Sequence, residues 1–172
     1  PRKLEQIEKE KVERLKSYIP ELEKLMTPPK NILVKTSVGI EAIQTFRRIA
    51  INELKRNETL MIIGGSGDRF YSTMGSKYDE IETKRIKKKI HKKLIAFPSE
   101  RDKLKNDKYR QFSEFRFFNS YHPTTSSINI FGNNVGIIIW STEPILIHIK
   151  NEEVAISYKN YFNEIWSSTK TS

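Results

Sequence analysis

The sequence predicts an α/β domain of three layers that follows a helical arm. Three observations predict it: coiled-coil spacing of apolar residues confined to residues 3–26, alternating strand and helix patterns between residues 32 and 118, and three closely spaced strand patterns followed by one helix near the C-terminal end. The chain has 172 residues, of which 37% are hydrophobic. This is enough for one domain with its own core and a short appended element.

The arm is a charged helix with a narrow apolar seam. Glu, Lys and Arg fill most positions of residues 3–26, and the apolar residues recur three and four positions apart, with a one-residue shift in phase near the start. This spacing is typical of a coiled coil and favours contact between two subunits over packing on the arm's own domain. Pro20 should kink or restart the helix, and residues 27–29 (Thr-Pro-Pro) should end it, so we expect a dimerisation helix in residues 1–29 and a folded domain in residues 30–172. The expected interface residues are Leu4, Ile7, Val12, Leu15, Ile19, Leu22 and Met26.

The first half of the domain alternates between strands and helices. Residues 32–35 and 59–63 have strand patterns, and an apolar face from Val38 to about Arg56 predicts a helix that Ser37 caps. The next elements are a helix opened by a capping box of Ser76 with Asp79 and ending near Lys88, and strands at about residues 91–97 and 112–118.

The second half is a strand cluster closed by a helix. Strands are expected at residues 127–131, 135–140 and 145–149, with residues 132–134 (Gly-Asn-Asn) as a tight hairpin between the first two because Gly and Asn tolerate positive φ. Asn151 can cap the last helix.

The positive charge of the chain is concentrated in one segment. The formal net charge is +10, and residues 84–110 contain twelve Lys and Arg against three Asp and Glu. One interpretation is a contact with a polyanion, above all nucleic acid, and the other is a solvated helix end and loop. The candidate contact residues are Lys84, Arg85, Lys87, Lys88, Lys89, Lys92 and Lys93.

The composition excludes several kinds of site. There is no cysteine, so disulfides, thiolate metal sites and cysteine nucleophiles are excluded, and three histidines make a histidine-rich metal site improbable. No apolar run approaches the length of a membrane-spanning helix, no serine lies in a G-x-S-x-G elbow, and no paired carboxylates of catalytic type are found. We therefore expect no cofactor, no resident metal and no membrane partner.

A glycine-rich loop follows the strand at residues 59–63. Residues 64–68 (Gly-Gly-Ser-Gly-Asp) match neither the phosphate-binding P-loop nor the G-x-G-x-x-G dinucleotide pattern. The loop either faces a ligand, because ligands of open α/β sheets bind beyond the carboxyl ends of strands, or serves backbone geometry alone.

The order of features resembles a known family. The chain contains, in order, Tyr-Ile-Pro-Glu-Leu-Glu-Lys-Leu at 18–25, Val-Lys at 34–35, Gly-Ile-Glu-Ala-Ile at 39–43, a strand followed by Gly-Gly at 64–65, Phe-Arg-Phe at 115–117, Ile-Phe-Gly-Asn at 130–133, Ile-His-Ile-Lys-Asn at 147–151 and Tyr-Phe-Asn-Glu-Ile-Trp at 161–166. This set resembles the part of TrmB-like archaeal transcriptional regulators that follows their DNA-binding domain.

The resemblance implies a fold and a function. It implies a phospholipase D-like α/β/α sandwich with a mixed sheet, preceded by the dimerisation helix, in a cytoplasmic homodimer that senses a small-molecule effector. DNA would be bound by a winged helix that this chain lacks. Members that sense sugars continue into a further β-rich piece after the position of Trp166, and this departure speaks against a sugar as the effector. The residues expected at the ligand, over the strand ends, are Gly64, Gly65, Ser66, Arg116, His122, Thr124 and Ser126.

The resemblance also bears on catalysis. Active phospholipase D-like enzymes need H-x-K-x-x-x-x-D, and the matching positions here are Thr124, Ser126 and Phe131. We therefore expect a domain that is not an enzyme. Two alternatives remain open: a nucleic-acid-binding module that uses residues 84–110 directly, and a phosphodiesterase of the phospholipase D type that uses His148.

Overall fold

The computed structural model describes residues 12–13, 16–18, 32–65, 67–119 and 125–171. The chain divides into two compact units, Pro1–Ile32 and Leu33–Ser172. In the first unit, residues 12–13 and 16–18 are helical and Val12 is exposed. The other predicted interface residues, Leu4, Ile7, Leu15, Ile19, Leu22 and Met26, lie outside the described residues. The dimer and the domain boundary therefore stay predictions.

The described part of the second unit forms one mixed sheet with helices on both faces. The sheet order is β1-β7-β6-β5-β2-β3-β4-β8, in which β2, β3 and β4 run parallel and the other neighbours pair antiparallel. The strands are β1 Leu33–Val38, β2 Thr59–Ile63, β3 His91–Ala96, β4 Ser113–Phe117, β5 Ser126–Phe131, β6 Asn134–Ile139, β7 Ile145–Lys150 and β8 Lys170–Thr171. The helices are α1 Ile40–Glu53, α2 Asp68–Met74, α3 Lys77–Lys87, α4 Arg101–Lys105 and α5 Glu152–Ser168, and a 3-10 turn spans Pro98–Glu100.

Two apolar cores lie on the two faces of the sheet. On β2, Ile62 belongs to the core beneath α1–α4 and Ile63 to the core beneath α5, because neighbouring side chains of a strand point to opposite faces. Phe46 of α1 and Phe162 of α5 are almost completely buried, one in each core. Burying an aromatic side chain of this size stabilises a fold by roughly 1.5–3 kcal/mol. The sheet is therefore the middle layer of three, and the predicted α/β/α architecture is confirmed.

The start of α1 differs from the prediction. Ser37 is the expected cap of a helix beginning at Val38, but both residues belong to β1, and Gly39, at a φ of 98°, precedes a helix that begins at Ile40. The reason is tertiary: β1 pairs with β7 in continuous register as far as Val38. That pairing satisfies backbone groups that a local helix cap would otherwise have satisfied.

The segment after β2 also differs from the prediction. The sequence predicted a glycine-rich loop at residues 64–68 and no helix before Ser76, but residues 68–74 form α2 between Gly67 and Gly75, which have φ values of 53° and 48°. Ser76 has helical dihedrals and no side-chain capping bond, so the predicted capping box is wrong.

The hairpin and the last cap are confirmed. Phe131 pairs with Asn134, and Gly132, at a φ of 50°, begins the two-residue connection. Asn151 caps α5, since its side chain accepts a hydrogen bond of 2.9 Å from the backbone N–H of Val154.

Candidate functional site

A cavity lies at the point where the carboxyl end of β2, the start of β5 and the end of β6 meet α1, α2 and α3. Its volume is about 50 Å³, which exceeds the 10–15 Å³ that one water needs on this measure. The space is therefore sufficient for a group of several heavy atoms. The lining residues are Arg47, Ile62, Gly64, Gly65, Gly67, Phe70, Tyr71, Tyr78, Glu82, Lys92, Leu94, Glu100, Leu104, Asp107, Ser127, Asn129, Ile138 and Trp140.

A buried ion cluster forms one wall of the cavity. Oε2 of Glu82 accepts hydrogen bonds from Nε of Arg85 at 2.8 Å and from Nζ of Lys92 at 2.9 Å. All three side chains are buried. Burial acts to raise the pKa of Glu82, but the charges of Lys92 and Arg85 outweigh it, and the net pKa lies below its ordinary value. Glu82 is therefore ionised and compensated at neutral pH.

Arg47 and Asn129 supply polar atoms that the protein itself leaves unsatisfied. Their side chains are 7% and 1% exposed. Nε and Nη1 of Arg47 and Oδ1 of Asn129 have no hydrogen-bond partner within the part of the chain that the structure describes. Burial lowers the pKa of Arg47, and the nearby charge of Glu82 acts in the opposite direction. Leaving a buried donor or acceptor unpaired costs about 1–3 kcal/mol, and more for a charged group.

Arg47 is held in place by packing rather than by an ion pair. Its guanidinium lies 4.8 Å from the ring centre of Phe70 on α2, a cation–π arrangement.

The strand side of the cavity is held by a hydrogen bond between side chains. The indole N–H of Trp140 donates to Oγ of Ser127 at 3.0 Å.

The more exposed residues of the cavity are engaged with one another. The hydroxyl of Tyr78 donates to Asp107 at 2.6 Å, and burial raises the pKa of Tyr78 above its ordinary range. Burial likewise raises the pKa of Tyr71 to about 12. Both phenols are therefore neutral donors at physiological pH.

Glu100 secures the glycine-rich loop. One of its oxygens accepts the backbone N–H of Gly67 at 3.0 Å and the other accepts that of Phe97 at 3.2 Å. A Cβ at Gly65 would collide with the carboxylate of Glu100, so a larger residue at this position would displace that side chain.

The structure brings together only some of the ligand residues expected from the sequence. Gly64 and Gly65 line the cavity, whereas Ser66, His122 and Thr124 lie outside the described residues.

Arg116 and Ser126 point away from the cavity. Arg116 donates to the carbonyl of Trp166 on α5, and its guanidinium lies 4.8 Å from the centre of that indole ring. Ser126 alternates on β5 with Ser127, which lines the cavity. Since the side-chain period of a strand is two, Ser126 faces the α5 side, and its assignment to the cavity, like that of Arg116, is corrected.

Sequence reasoning missed the residues that matter most in the cavity. On β5, Ser127 and Asn129 point to one face of the sheet and Ser126 points to the other. The sequence does not say which of these faces lies under α1, because this is decided by the pairing of β5 with β2 and β6. A polar residue inside an apolar strand was the available signal for Asn129. Arg47 had no signal beyond its place near the apolar face of α1.

The basic segment does not form a single exposed surface. Arg85 and Lys92 are buried on Glu82, so neither is available to a polyanion, and their assignment to such a contact is corrected. Nζ of Lys88 donates to the carbonyls of Ile51, Asn52 and Leu54, at 2.6, 3.2 and 2.8 Å, and so neutralises the end of α1.

The other basic residues are closer to solvent. Lys84 pairs with Glu80 at 2.7 Å, and Lys93 lies 3.8 Å from Glu114. Lys87 and Lys89 are exposed.

The described histidines lie away from the cavity. His91 contacts Phe112, and His148 shares a hydrogen bond of 2.9 Å with Oδ1 of Asn134. Burial lowers the pKa of His148. Within the described ranges there is no cluster of His, Asp and Glu that could hold a metal ion, and no helix long and apolar enough to cross a membrane.

Comparison with known proteins adds a fold relationship. No protein-family model matches the chain, and no curated protein sequence matches it. Among solved structures, TrmBL2, described as an archaeal chromatin protein with a novel mode of DNA binding, matches with a TM-score of 0.58 and 16% identity over 99% of this chain and 67% of that chain.

Two further solved structures match a smaller share of this chain. NucT from Helicobacter pylori matches with a TM-score of 0.54 and 13% identity, over 81% of this chain and 100% of that one. Nuc, a phospholipase D family member from Salmonella typhimurium, matches with a TM-score of 0.54 and 12% identity, over 82% of this chain and 98% of that one. The chain has a phospholipase D-like fold. The resemblance to TrmB-like regulators is thereby supported at the level of the fold.

Proposed function

We propose that this domain is a non-catalytic small-molecule sensor of a dimeric archaeal transcriptional regulator. The observation that carries the proposal is the cavity, in which Arg47 and Asn129 present buried polar atoms without a protein partner. Such atoms are stabilised when a ligand or ordered water supplies the missing hydrogen bonds. The fold match to TrmBL2 supports a role together with DNA.

The side chains at the cavity support binding without turnover. Hydrolysis of a phosphodiester by this fold would need a histidine nucleophile and a lysine near the start of β5. The matching positions are Thr124 and Ser126, neither a histidine nor a lysine, while His91 and His148 lie elsewhere. We therefore propose that the domain is not an enzyme.

The position of the cavity suggests how binding could be signalled. Arg47 belongs to α1 and Asn129 to β5, so a ligand that contacts both would tie a helix to the middle of the sheet. A ligand shifts an equilibrium only through different affinities for two states. We propose that the two states differ in how tightly α1 and α2 close on the sheet, and that the arms transmit the difference to the DNA-binding parts of the regulator.

The proposal is tested by thermal unfolding with a ligand panel, at low and at high salt. The panel contains sugars, carboxylates, phosphorylated metabolites, nucleotides and a short DNA duplex. A ligand at 100 times its Kd should stabilise the fold by about 2.7 kcal/mol. We expect at least one small molecule to raise the Tm of the wild type and of Asn160→Leu, an exposed control on α5, but not of Asn129→Leu, which removes the acceptor from the cavity.

Two outcomes would contradict the proposal. The absence of a shift with every small molecule would remove the sensing function. A shift with the duplex alone, lost at high salt, would instead favour a nucleic-acid-binding module that uses residues 84–110.

A further inference from the structure

The least exposed part of the cavity has more positive than negative charge. Arg47 and Lys92 bring two cations to the lining, and Glu82 is the carboxylate buried beside them. Oε2 of Glu82 is already shared by Arg85 and Lys92. No ion pair of Arg47 is found within the described residues. A buried cation in this situation is strongly stabilised by an anion that enters from outside.

The other carboxylates of the cavity do not fill this role. Asp107 accepts from the hydroxyl of Tyr78 and from the backbone N–H of Tyr109 at 2.9 Å. Glu100 is bound to backbone N–H groups of the glycine-rich loop. Both are more exposed than Arg47 and Asn129, and their hydrogen bonds are made to groups other than Arg47.

The unsatisfied atoms indicate the chemistry of the missing partner. Two guanidinium nitrogens of Arg47 can only donate, and an oxyanion offers several acceptor oxygens to satisfy them. Oδ1 of Asn129 can only accept, so the same ligand should also bear an O–H or N–H group. A cavity of about 50 Å³ accommodates a group of this size.

We infer that the cavity recognises its ligand through an oxyanion, a carboxylate or a phosphate, bound by Arg47, with a hydroxyl or amino group of the ligand donating to Asn129. This inference rests on the proposed sensing function and specifies its ligand class.

The experiment measures anion binding to the full chain with simple probes. Thermal unfolding is followed in inorganic phosphate, acetate and glycolate, each compared with chloride at equal ionic strength. Glycolate differs from acetate by one hydroxyl, which makes the two a matched pair for Asn129. Comparing the Tm in phosphate with the Tm in the two carboxylates shows whether the cavity prefers a phosphate or a carboxylate.

We expect at least one oxyanion to raise the Tm of the wild type above its value in chloride. Arg47→Met should weaken binding of that anion at least tenfold, and Arg48→Met, an exposed neighbour with the same charge, should change it less than twofold. Asn129→Leu should remove the difference between glycolate and acetate. Because Arg47 is a buried cation without an ion pair, Arg47→Met should fold at least as well as the wild type without ligand.

Three results would overturn the inference: no effect of any oxyanion beyond chloride, an equal loss in Arg47→Met and Arg48→Met, or a glycolate preference that survives in Asn129→Leu. If an uncharged member of the ligand panel stabilises the wild type but not Asn129→Leu while the oxyanions have no effect, the ligand class is wrong and the sensing function stands.

Discussion

Arg85 connects the ion cluster to the backbone around it. Besides its bond to Glu82, its guanidinium donates to the carbonyls of Ile90, Tyr109 and Gln111 at 2.9, 2.8 and 3.0 Å. A guanidinium offers five donors in a rigid plane, which a lysine could not reproduce. The side chain thereby holds the segment before β4 against α3 and the start of β3, and this position requires an arginine.

Glu82→Gln should be strongly destabilising at neutral pH. The amide would leave Arg85 and Lys92 buried without their counterion, and breaking a buried ion pair costs about 3–5 kcal/mol. Because the folded-state pKa of Glu82 lies below its ordinary 4.5, the carboxylate contributes its full stability above that pH, and the contribution is lost as pH falls through the lower folded value. Urea unfolding at a series of pH values should show the gap between wild type and variant closing only in acid.

Glu80→Gln is the matched control for this prediction. Glu80 is on the same helix but exposed, and its partners Lys77 and Lys84 are also exposed. Its loss should change stability little at any pH. A gap between wild type and Glu82→Gln that stays constant down to strong acid would show that the ion cluster does not titrate as described.

At the scale of elements, α1 packs closely on β6 because one strand position has no side chain. A Cβ at Gly136 would collide with the ring of Phe46, which also contacts the rings of Phe131 and His148 at centroid distances of 5.2 and 4.9 Å. The glycine therefore sets the distance between helix and sheet, and with it the position of Arg47 one residue further along α1.

Gly136→Ala should destabilise the domain by about 1–3 kcal/mol, the usual cost of overpacking a filled core. The double variant with Phe46→Leu tests the contact directly. If the collision causes the loss, the two changes together should cost clearly less than the sum of the single changes in denaturant unfolding. Additive losses would mean that Gly136 acts through its backbone and not through Phe46.

At the scale of the whole molecule, the arm is expected to join two chains. The prediction concerns residues outside the described ranges and follows from the spacing of the apolar seam. Leu15→Asp combined with Leu22→Asp should convert the dimer into a monomer in light scattering, because both acids would fall on the seam. Lys16→Asp, an exposed change beside it, should leave the dimer intact. A wild-type chain that is monomeric at high concentration would contradict the coiled-coil interpretation.

Much of the fold could be predicted from the sequence because many of its elements depend on residues that are close together in the chain. Period-two runs such as residues 127–131, the turn at Gly132 and the cap at Asn151 each depend on neighbours within a few positions. The ordered set of short motifs extended this to the phospholipase D-like architecture, which the solved structures confirm. Two local predictions were wrong. The start of α1 depends on the pairing of β1 with the distant strand β7, and α2 lies between two glycines with positive φ.

The sequence by itself thus determined the order of β1–β7 with α1, α3 and α5, the α/β class and the place of the glycine-rich loop beyond β2. Only the tertiary structure decided which polar residues meet. Ser127 and Asn129, and not Ser126, face the cavity, and Arg85 and Lys92 turn inward to Glu82 instead of outward to a polyanion. The physical reason is that residues far away in the chain decide which side chains of a strand face the core and which charges are buried. The free energy of these tertiary contacts outweighs the local conformational preference.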